Sequence, residues 1–101
     1  MIQVLAYKEF QAKVNYEPVQ LIDVRSAGEF QGGTINGAIC LDVNSPAFIE
    51  RVKDLINLDK PIYVFCRSGM RSNMAAGILN SLGATEIYDL EGGYINWKNH
   101  Q

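Results

Sequence analysis

Five short apolar runs, rich in β-branched residues, place the strongest limit on how this 101-residue chain can fold. The runs read IQVL, VQLIDV, AICLDV, IYVF and EIYDL, and each has the length of a buried strand. Segments with the apolar spacing of helices lie between them. Strands that alternate with helices favour a mostly parallel sheet with helices on both faces. The sequence therefore predicts one α/β domain over residues 1–101.

Two of the intervening segments carry strong helix signals. In SPAFIERVKDLINL, Pro46 follows Ser45, which is a good helix start, and apolar residues then recur at helical spacing. RSNMAAGILNSLG has the same pattern and stops at Gly83, a residue type that commonly follows the last turn of a helix. Weaker patterns indicate helices in YKEFQAKV and in GYINWKNH.

Composition excludes several classes of function. The net charge of -2 gives no general reason to bind nucleic acid or an acidic membrane. No apolar run approaches the roughly 18 residues of a membrane span, and the first residues, MIQVLAYKEF, lack the basic and apolar regions of a signal peptide. We therefore expect a protein of the reducing cytoplasm, where a free cysteine is more often chemical than structural.

Cys40 and Cys66 are the two cysteines, and neither belongs to a CxxC motif or a Cys/His cluster. His100, the one histidine, lies next to the last residue. We therefore expect no metal site, no cofactor and no Cys–His pair. Because IYVF ends at Phe65, Cys66 is predicted at the carboxyl end of a strand, where open α/β sheets carry their active sites.

The segment after Cys66 has the composition of an anion-binding loop. The cysteine is followed by Arg67, Ser68, Gly69, Met70, Arg71 and Ser72. A helix that starts here directs its free amides toward the loop, and Gly69 permits a turn in which successive amides converge. The arginines add positive charge, and the serines donate hydrogen bonds or cap the helix. Because a thiol is a poor nucleophile until it ionises, these features favour a reactive Cys66 over a structural one.

Three segments resemble, in order, the motifs of the rhodanese family of sulfurtransferases. CRSGMRS is similar to that family's active-site loop, C-R-x-G-x-R followed by a small residue. LIDVRSAGEFQGGTINGAI resembles its first signature, D-V-R-x-x-x-E-[FY]-x-x-G-H-I-x-G-A, and DLEGGYINW resembles its closing motif, L-x-G-G-x-x-x-W. The matches span Leu21 to Trp97, and the resemblance implies the three-layer rhodanese fold, a parallel five-stranded sheet between helices.

The resemblance implies sulfur transfer through a covalent intermediate. The Cys66 thiolate would attack the outer sulfur of thiosulfate or another sulfane donor, release sulfite and become a persulfide. Cyanide or a thiol would then take the sulfur in a ping-pong cycle. The loop amides, up to Ser72, are expected to stabilise the thiolate and then the persulfide. Arg71 is the predicted holder of the sulfonate of thiosulfate, and Arg67 is either a second clamp or the partner of an acid such as Glu29.

Asp23, Arg25 and Glu29 match the first signature upstream of the loop. Asp23 and Arg25 end the strand VQLIDV, so they are expected near the same sheet edge as Cys66. Residues that support a site outnumber those that react, so we expect this pair to fix the loop rather than to take part in catalysis. Glu29 is expected to anchor a helix or an arginine.

Two positions depart from the family pattern. Thr34 stands where the family usually has histidine, which weakens the motif match more than the mechanism. Cys40 stands where asparagine is frequent; a small buried strand residue is the favoured interpretation, and resolution of a persulfide as a disulfide is the alternative. Downstream, Gly92 and Gly93 are predicted to make a sharp turn into the last helix.

Three other functions fit part of the pattern. Cysteine phosphatases and arsenate reductases use a C-x5-R loop, but four residues separate Cys66 from Arg71, and the narrower ring of amides suits a single sulfur better than phosphate. A silent binding or regulatory module usually lacks the cysteine or the loop glycine and arginines, which this chain keeps. A relay of persulfide sulfur to a thioredoxin-like partner needs the same site, so the natural donor and acceptor stay open.

Overall fold

A helix follows every strand in the computed structural model, which describes residues 1–101. The strands are β1 (Ile2–Leu5), β2 (Gln20–Asp23), β3 (Ile39–Cys40), β4 (Ile62–Phe65) and β5 (Ile87–Leu90). The helices are α1 (Tyr7–Tyr16), α2 (Ala27–Gln31), α3 (Phe48–Leu55), α4 (Met70–Ser81) and α5 (Gly93–Asn99). Each of the five predicted strand segments contains one of these strands.

The strands form one sheet in the order β1-β5-β4-β2-β3, and every neighbouring pair is parallel. This arrangement confirms the predicted parallel sheet. In register, Asp23 of β2 lies opposite Phe65 of β4 on one side and Cys40 of β3 on the other. The carboxyl ends of the three strands therefore meet at one edge of the sheet, and Cys66 follows β4 at that edge.

The sheet separates two apolar cores, because successive residues of a strand point to opposite faces. Ile62 and Val64 of β4 pack with residues of α3 and α4, whereas Tyr63 and Phe65 pack with residues of α1 and α5. All four are buried, so β4 runs through the centre of the protein. Helices on both faces confirm the three-layer α/β fold. No helix combines the length and the apolar character needed to cross a membrane.

The prediction that α3 begins at Pro46 is wrong, since the helix begins at Phe48. The preceding residues form a turn instead: the Ser45 hydroxyl accepts from the Ala47 amide at 3.2 Å, and the Ser45 carbonyl accepts from the Phe48 amide at 3.1 Å. Helix α4 ends as predicted, because Gly83 follows its last turn with a φ of 108°.

Two elements are shorter than the pattern suggests. Helix α2, which the sequence pattern does not predict, has 5 residues and starts with a capping box between Ser26 and Glu29. Strand β3 has 2 residues of the predicted AICLDV. The backbone of that segment nevertheless continues along β2, because the Leu41 amide donates to the Asp23 carbonyl at 2.9 Å.

Candidate active site

Cys66 lies in the short connection between β4 and α4, with its side chain in the core under α4. The residue is 1% exposed. Arg67 and Ser68 follow it as exposed residues, and Gly69 precedes the first residue of α4. We call the segment from Cys66 to Arg71 the cysteine loop. It combines a buried sulfur with an exposed rim.

Two groups contact the Cys66 sulfur. The Gly69 amide donates to Sγ at 3.0 Å, and the Ser72 hydroxyl oxygen lies 3.4 Å from Sγ. Gly69 adopts a φ of 119°, which L residues other than glycine rarely reach, and this conformation turns its amide toward the sulfur. An amide that points at a sulfur stabilises negative charge there. The loop therefore favours an anionic sulfur, whether thiolate or persulfide.

The cysteine loop rests on the first turn of α5. The Tyr94 amide donates to the Cys66 carbonyl at 2.8 Å, and the Ile95 amide donates to the Arg67 carbonyl at 3.1 Å. Gly93 allows this approach: a Cβ added there would lie 2.6 Å from the Cys66 carbonyl oxygen and from the Arg67 carbonyl group. Sequence reasoning predicted the sharp turn at Gly92 and Gly93 but missed its contact with the loop.

Arg71 forms a bidentate ion pair with Glu29. Its Nη1 and Nη2 lie 2.7 and 2.9 Å from the two carboxylate oxygens of Glu29. Of the two roles predicted for Arg67, a second clamp or a pair with an acid such as Glu29, the structure does not form the second, because Arg71 binds Glu29. Arg67 is exposed and forms no ion pair. The hydrogen bonds from Arg71, helped by the Ser26 amide and hydroxyl, lower the pKa of Glu29 from 4.5 to about 2. The pair connects α2 to the start of α4.

Arg25 and Asp23 form a second, fully buried ion pair. Arg25 Nε and Nη2 lie 2.9 and 2.7 Å from the Asp23 carboxylate, and Nη2 also donates to the Gly33 carbonyl at 2.6 Å. The guanidinium stacks over the Tyr94 ring at 4.4 Å from its centroid. Thr34, at the position where the family usually has histidine, donates to Asp23 at 2.8 Å. Two guanidinium nitrogens of Arg25, Nε and Nη2, thus bind groups within the protein, which fits the predicted supporting role.

The other predicted loop residues lie at the rim or below it. Met70 is 84% exposed, and Ser68 is exposed without a side-chain hydrogen bond. Ser72, in contrast, is completely buried in the first turn of α4. Its hydroxyl also donates to the Gly69 carbonyl at 3.2 Å, which ties the start of the helix to the loop. These positions are where the sequence places them, but their roles stay predictions.

Cys40 lies too far from Cys66 to form a disulfide with it. Cys40 is opposite Asp23, which is opposite Phe65, so two interstrand spacings of about 4.8 Å each separate Cys40 from the end of β4. A disulfide needs Cα atoms within about 7 Å. Burial raises the pKa of the Cys40 thiol, which makes it less nucleophilic. The geometry therefore contradicts the alternative in which Cys40 resolves a persulfide.

Asp89 is a buried carboxyl group near the site that sequence reasoning missed. It lies on β5 and is 3% exposed. Burial raises its pKa from 3.8 to about 6, although the nearby Ser72 hydroxyl opposes part of this shift. A single acid inside the otherwise apolar run EIYDL gave no motif to find it by.

The largest cavity, about 710 Å³, lies at the opposite edge of the sheet. Its lining includes Gln20, Pro61 and Glu86, which stand at or just before the starts of their strands. Cys66 lines none of the surface cavities. The candidate site is therefore the cysteine loop itself rather than a deep pocket.

Known proteins share this chain's sequence over most of its length. The chain is 40% identical over 97 residues to a Bacillus subtilis (strain 168) protein, YqhL, whose name calls it uncharacterized, and covers 73% of it. It is 34% identical over 79 residues to the thiosulfate sulfurtransferase GlpE of Shewanella oneidensis, of which it covers 75%. The tRNA uridine(34) hydroxylase of Cytophaga hutchinsonii is 33% identical over 91 residues, but the chain spans only 29% of that protein.

The fold has solved counterparts of the same size. The human single-domain sulfurtransferase TSTD1 superposes with a TM-score of 0.81 at 26% identity, and the match covers 97% of this chain and 96% of TSTD1. The profile of the rhodanese-like domain family matches residues 6–100, which include the cysteine loop, both ion pairs and α5. This chain belongs to the rhodanese-like domain family.

Proposed function

We propose that this protein is a sulfurtransferase that carries a sulfane sulfur on Cys66. The observation that carries the proposal is the Gly69 amide, 3.0 Å from Sγ, in a loop with four residues between Cys66 and Arg71. That amide stabilises a sulfur anion, and the sulfur sits at the carboxyl edge of the sheet beside an exposed cation, Arg67. Relatives named sulfurtransferases support the same activity class.

The proposed reaction has two half-reactions. In the first, the Cys66 thiolate attacks the outer sulfur of thiosulfate; a bond forms between the two sulfurs, the S–S bond of thiosulfate breaks, and sulfite leaves with the electron pair. In the second, a thiol or cyanide attacks the terminal sulfur of the persulfide and restores the Cys66 thiolate. A persulfide or polysulfide donor would load Cys66 in the same way. No metal or cofactor takes part.

Arg67 is the cation that we assign to the incoming donor. Its guanidinium is exposed and has no acidic partner, whereas the Nη atoms of Arg71 are occupied by Glu29. An arginine presents a planar pair of donors that suits the sulfonate oxygens of thiosulfate. The earlier assignment of the sulfonate to Arg71 stays a prediction, and in this proposal Arg71 chiefly orders the loop through Glu29.

The acceptor side of the reaction is a proposal as well. A low-molecular-weight thiol, cyanide or a thioredoxin-like protein in a sulfur relay would each take the sulfur at the rim that Arg67, Ser68 and Met70 form. These acceptors fit the reducing cytoplasm in which we place the protein. The alternative of a silent binding module is disfavoured because the nucleophile and its amide donor are both present.

Intact-mass measurement after incubation with thiosulfate, and separately with polysulfide, tests the proposal. We expect the wild type to gain one sulfur atom and to lose it again on treatment with cyanide or a reducing thiol. Cys66→Ser should gain none, whereas Cys40→Ser, the matched control, should load like the wild type. Failure to load from either donor, or loading that maps to Cys40, would contradict the proposal.

A further inference from the structure

The largest cavity, of about 710 Å³, contains a buried hydroxyl group that no protein atom satisfies. Tyr63 of β4 lines this cavity and is only 4% exposed. Its ring packs against the rings of Phe10 and Tyr88, but its hydroxyl forms no hydrogen bond within the protein. The Tyr88 hydroxyl, in contrast, donates to Glu86 at 2.8 Å. Because buried tyrosine hydroxyls usually have a partner, Tyr63 indicates that a polar ligand binds in the cavity.

One row of side chains across the sheet forms the floor of the cavity. Gln3 of β1 lies opposite Tyr88 of β5, which lies opposite Tyr63 of β4. These three side chains therefore point to the same face of the sheet, and all of them line the cavity. The rings of Tyr63 and Tyr88 are stacked, with their centroids 4.9 Å apart. A floor of aromatic rings attracts cations, because the face of such a ring is negative.

Helix α1 forms one wall of the cavity with a stripe of charged residues. Glu9, Lys13 and Glu17 follow one another at four-residue spacing, so they lie on one side of the helix. Lys13 forms an ion pair with Glu17 at 3.2 Å, which neutralises the one cation of the stripe. Glu9 has no basic partner. The stripe is about 12 Å long at the rise of an α-helix, so the wall suits an elongated ligand.

The unpaired charge in the cavity is mainly negative. Glu86, at the start of β5, lines the cavity and forms no ion pair, like Glu9. Lys60, which is exposed, is the only lining cation without an acidic partner. Because α1 runs back from the end of β1 to the start of β2, Glu9 lies toward one end of the cavity and Glu86 toward the other. Two separated carboxylates favour a ligand with two positive charges.

We propose that this cavity binds a linear polyamine, a chain of methylene groups with an ammonium group at each end. One ammonium group binds the Glu9 carboxylate. The other binds the Glu86 carboxylate and donates to the hydroxyl of Tyr63, which supplies the missing partner of that hydroxyl. The methylene groups between them lie against the ring of Tyr88 and the side chain of Leu5, which also lines the cavity.

Isothermal titration calorimetry with spermidine at physiological ionic strength tests the proposal. For the wild type we expect one saturable site with a dissociation constant below about 1 mM. Tyr63→Phe keeps the ring and removes only the hydroxyl, so it should weaken binding about fivefold or more. Glu86→Gln should weaken binding about threefold or more, since its carboxylate is exposed to solvent. Absence of saturable binding by the wild type up to about 10 mM spermidine would overturn the proposal.

A matched variant separates this site from the general attraction of a polycation to an acidic protein. Glu50→Gln changes the net charge as Glu86→Gln does, but it removes an exposed acid of α3 outside the cavity. It should bind spermidine like the wild type. Equal weakening by the two variants would mean non-specific attraction and would overturn the site. This comparison decides the matter alone if circular dichroism shows that Tyr63→Phe is unfolded.

A dicarboxylate tests the class of ligand. Succinate would need the cations of Lys13 and Lys60, of which Lys13 is already paired, so we expect no binding of succinate under the same conditions. Succinate that binds more tightly than spermidine would contradict a site for cations.

The inference does not rest on the proposed function, because the cavity and Cys66 lie at opposite edges of the sheet. Cys66→Ser should therefore bind spermidine with the affinity of the wild type. Spermidine binding in a protein that loads no sulfur would support the polyamine site and contradict the sulfurtransferase. Sulfur loading in a protein that binds no spermidine would support the sulfurtransferase and contradict the polyamine site.

Discussion

Gly93 shows how a single residue positions the cysteine loop without touching the sulfur. Its φ of 62° lies in the left-handed region, and its missing side chain leaves room for the carbonyl groups of Cys66 and Arg67. The amides of Tyr94 and Ile95 reach those carbonyls as a result. The loop geometry at the end of β4 thus depends on a residue that lies 27 positions further along the chain.

Gly93→Ala should destabilise the protein and disorder the loop. The new Cβ would lie 2.6 Å from backbone atoms of Cys66 and Arg67, so the backbone itself must shift. We expect a loss of at least about 2 kcal/mol of unfolding free energy in urea melts and at least a tenfold loss of sulfur loading. Gly77→Ala, at a helical glycine with open space around it, is the matched control and should be neutral or slightly stabilising. Normal sulfur loading in Gly93→Ala would contradict this positioning role.

Between elements, the pair of Glu29 and Arg71 joins a helix of only 5 residues to the helix that starts at the active site. Glu29 uses its carboxylate twice, once in the capping box with Ser26 and once for Arg71. The side chains are 30% and 28% exposed, so solvent screens much of the attraction. The pair consequently matters more for the orientation of Arg71 than for the stability of the fold.

Glu29→Gln should therefore cost little stability and more activity. We expect a loss of about 1 kcal/mol or less in urea melts, and a several-fold slower loading of sulfur because Arg71 loses its anchor. The lowered pKa of Glu29 gives the sign for pH: its contribution to stability is present above about pH 4.5 and disappears as pH falls toward about 2. Urea melts at pH 3 and pH 6 should show this difference in the wild type and not in the variant. Glu50→Gln, an exposed acid in the first turn of α3, should retain it.

At the scale of the whole molecule, Asp89 also makes the stability of the fold depend on pH. The sign of this dependence is opposite to that of Glu29. The pKa of Asp89 is raised from 3.8 to about 6 in the folded state, so the folded state binds the proton more tightly than the unfolded chain. The fold should lose stability as pH rises through this window, by up to about 3 kcal/mol. The buried carboxyl group of Asp89 thus lowers the stability of the fold at neutral pH.

Asp89→Asn should stabilise the protein at pH 8 and flatten this slope. The amide removes a buried charge that has an unpartnered oxygen, so the penalty that grows between about pH 4 and pH 6 disappears. Urea or thermal melts of the wild type and variant at pH 4.5 and pH 8 measure the effect. A variant that is less stable than the wild type at pH 8 would show that the carboxylate has a stabilising partner after all.

Much of the fold was predictable because its signals are local. Each strand is a short apolar run, and the helices α1, α3, α4 and α5 carry apolar residues at helical spacing. Helix α2 was missed because 5 residues are too few to show a periodicity. The start of α3 was misplaced because a turn at Ser45 uses the same residue types as a helix cap.

The position of the candidate site could be predicted from the sequence, but the ion pairs of its arginines could not. A cysteine after a buried strand and before a helix, with Gly69 and two arginines, locates the loop from the sequence. Arg71 pairs with Glu29, which lies 42 residues away in the sequence. The sequence gives no reason to choose Arg71 over Arg67 as the partner of that acid. Gly93 lies against the cysteine loop at the start of α5, and nothing in its own segment indicates this contact.

The sequence alone thus establishes the alternation of strands and helices, the parallel sheet and the position of Cys66 at its carboxyl edge, because each depends on local apolar spacing and on the rules of parallel connections. The folded arrangement is needed to tell which loop arginine is left without an acidic partner and why Cys40 lies out of reach of Cys66. Those facts depend on distances between residues far apart in the chain, and such distances exist only once the sheet order and the packing of α4 and α5 are set.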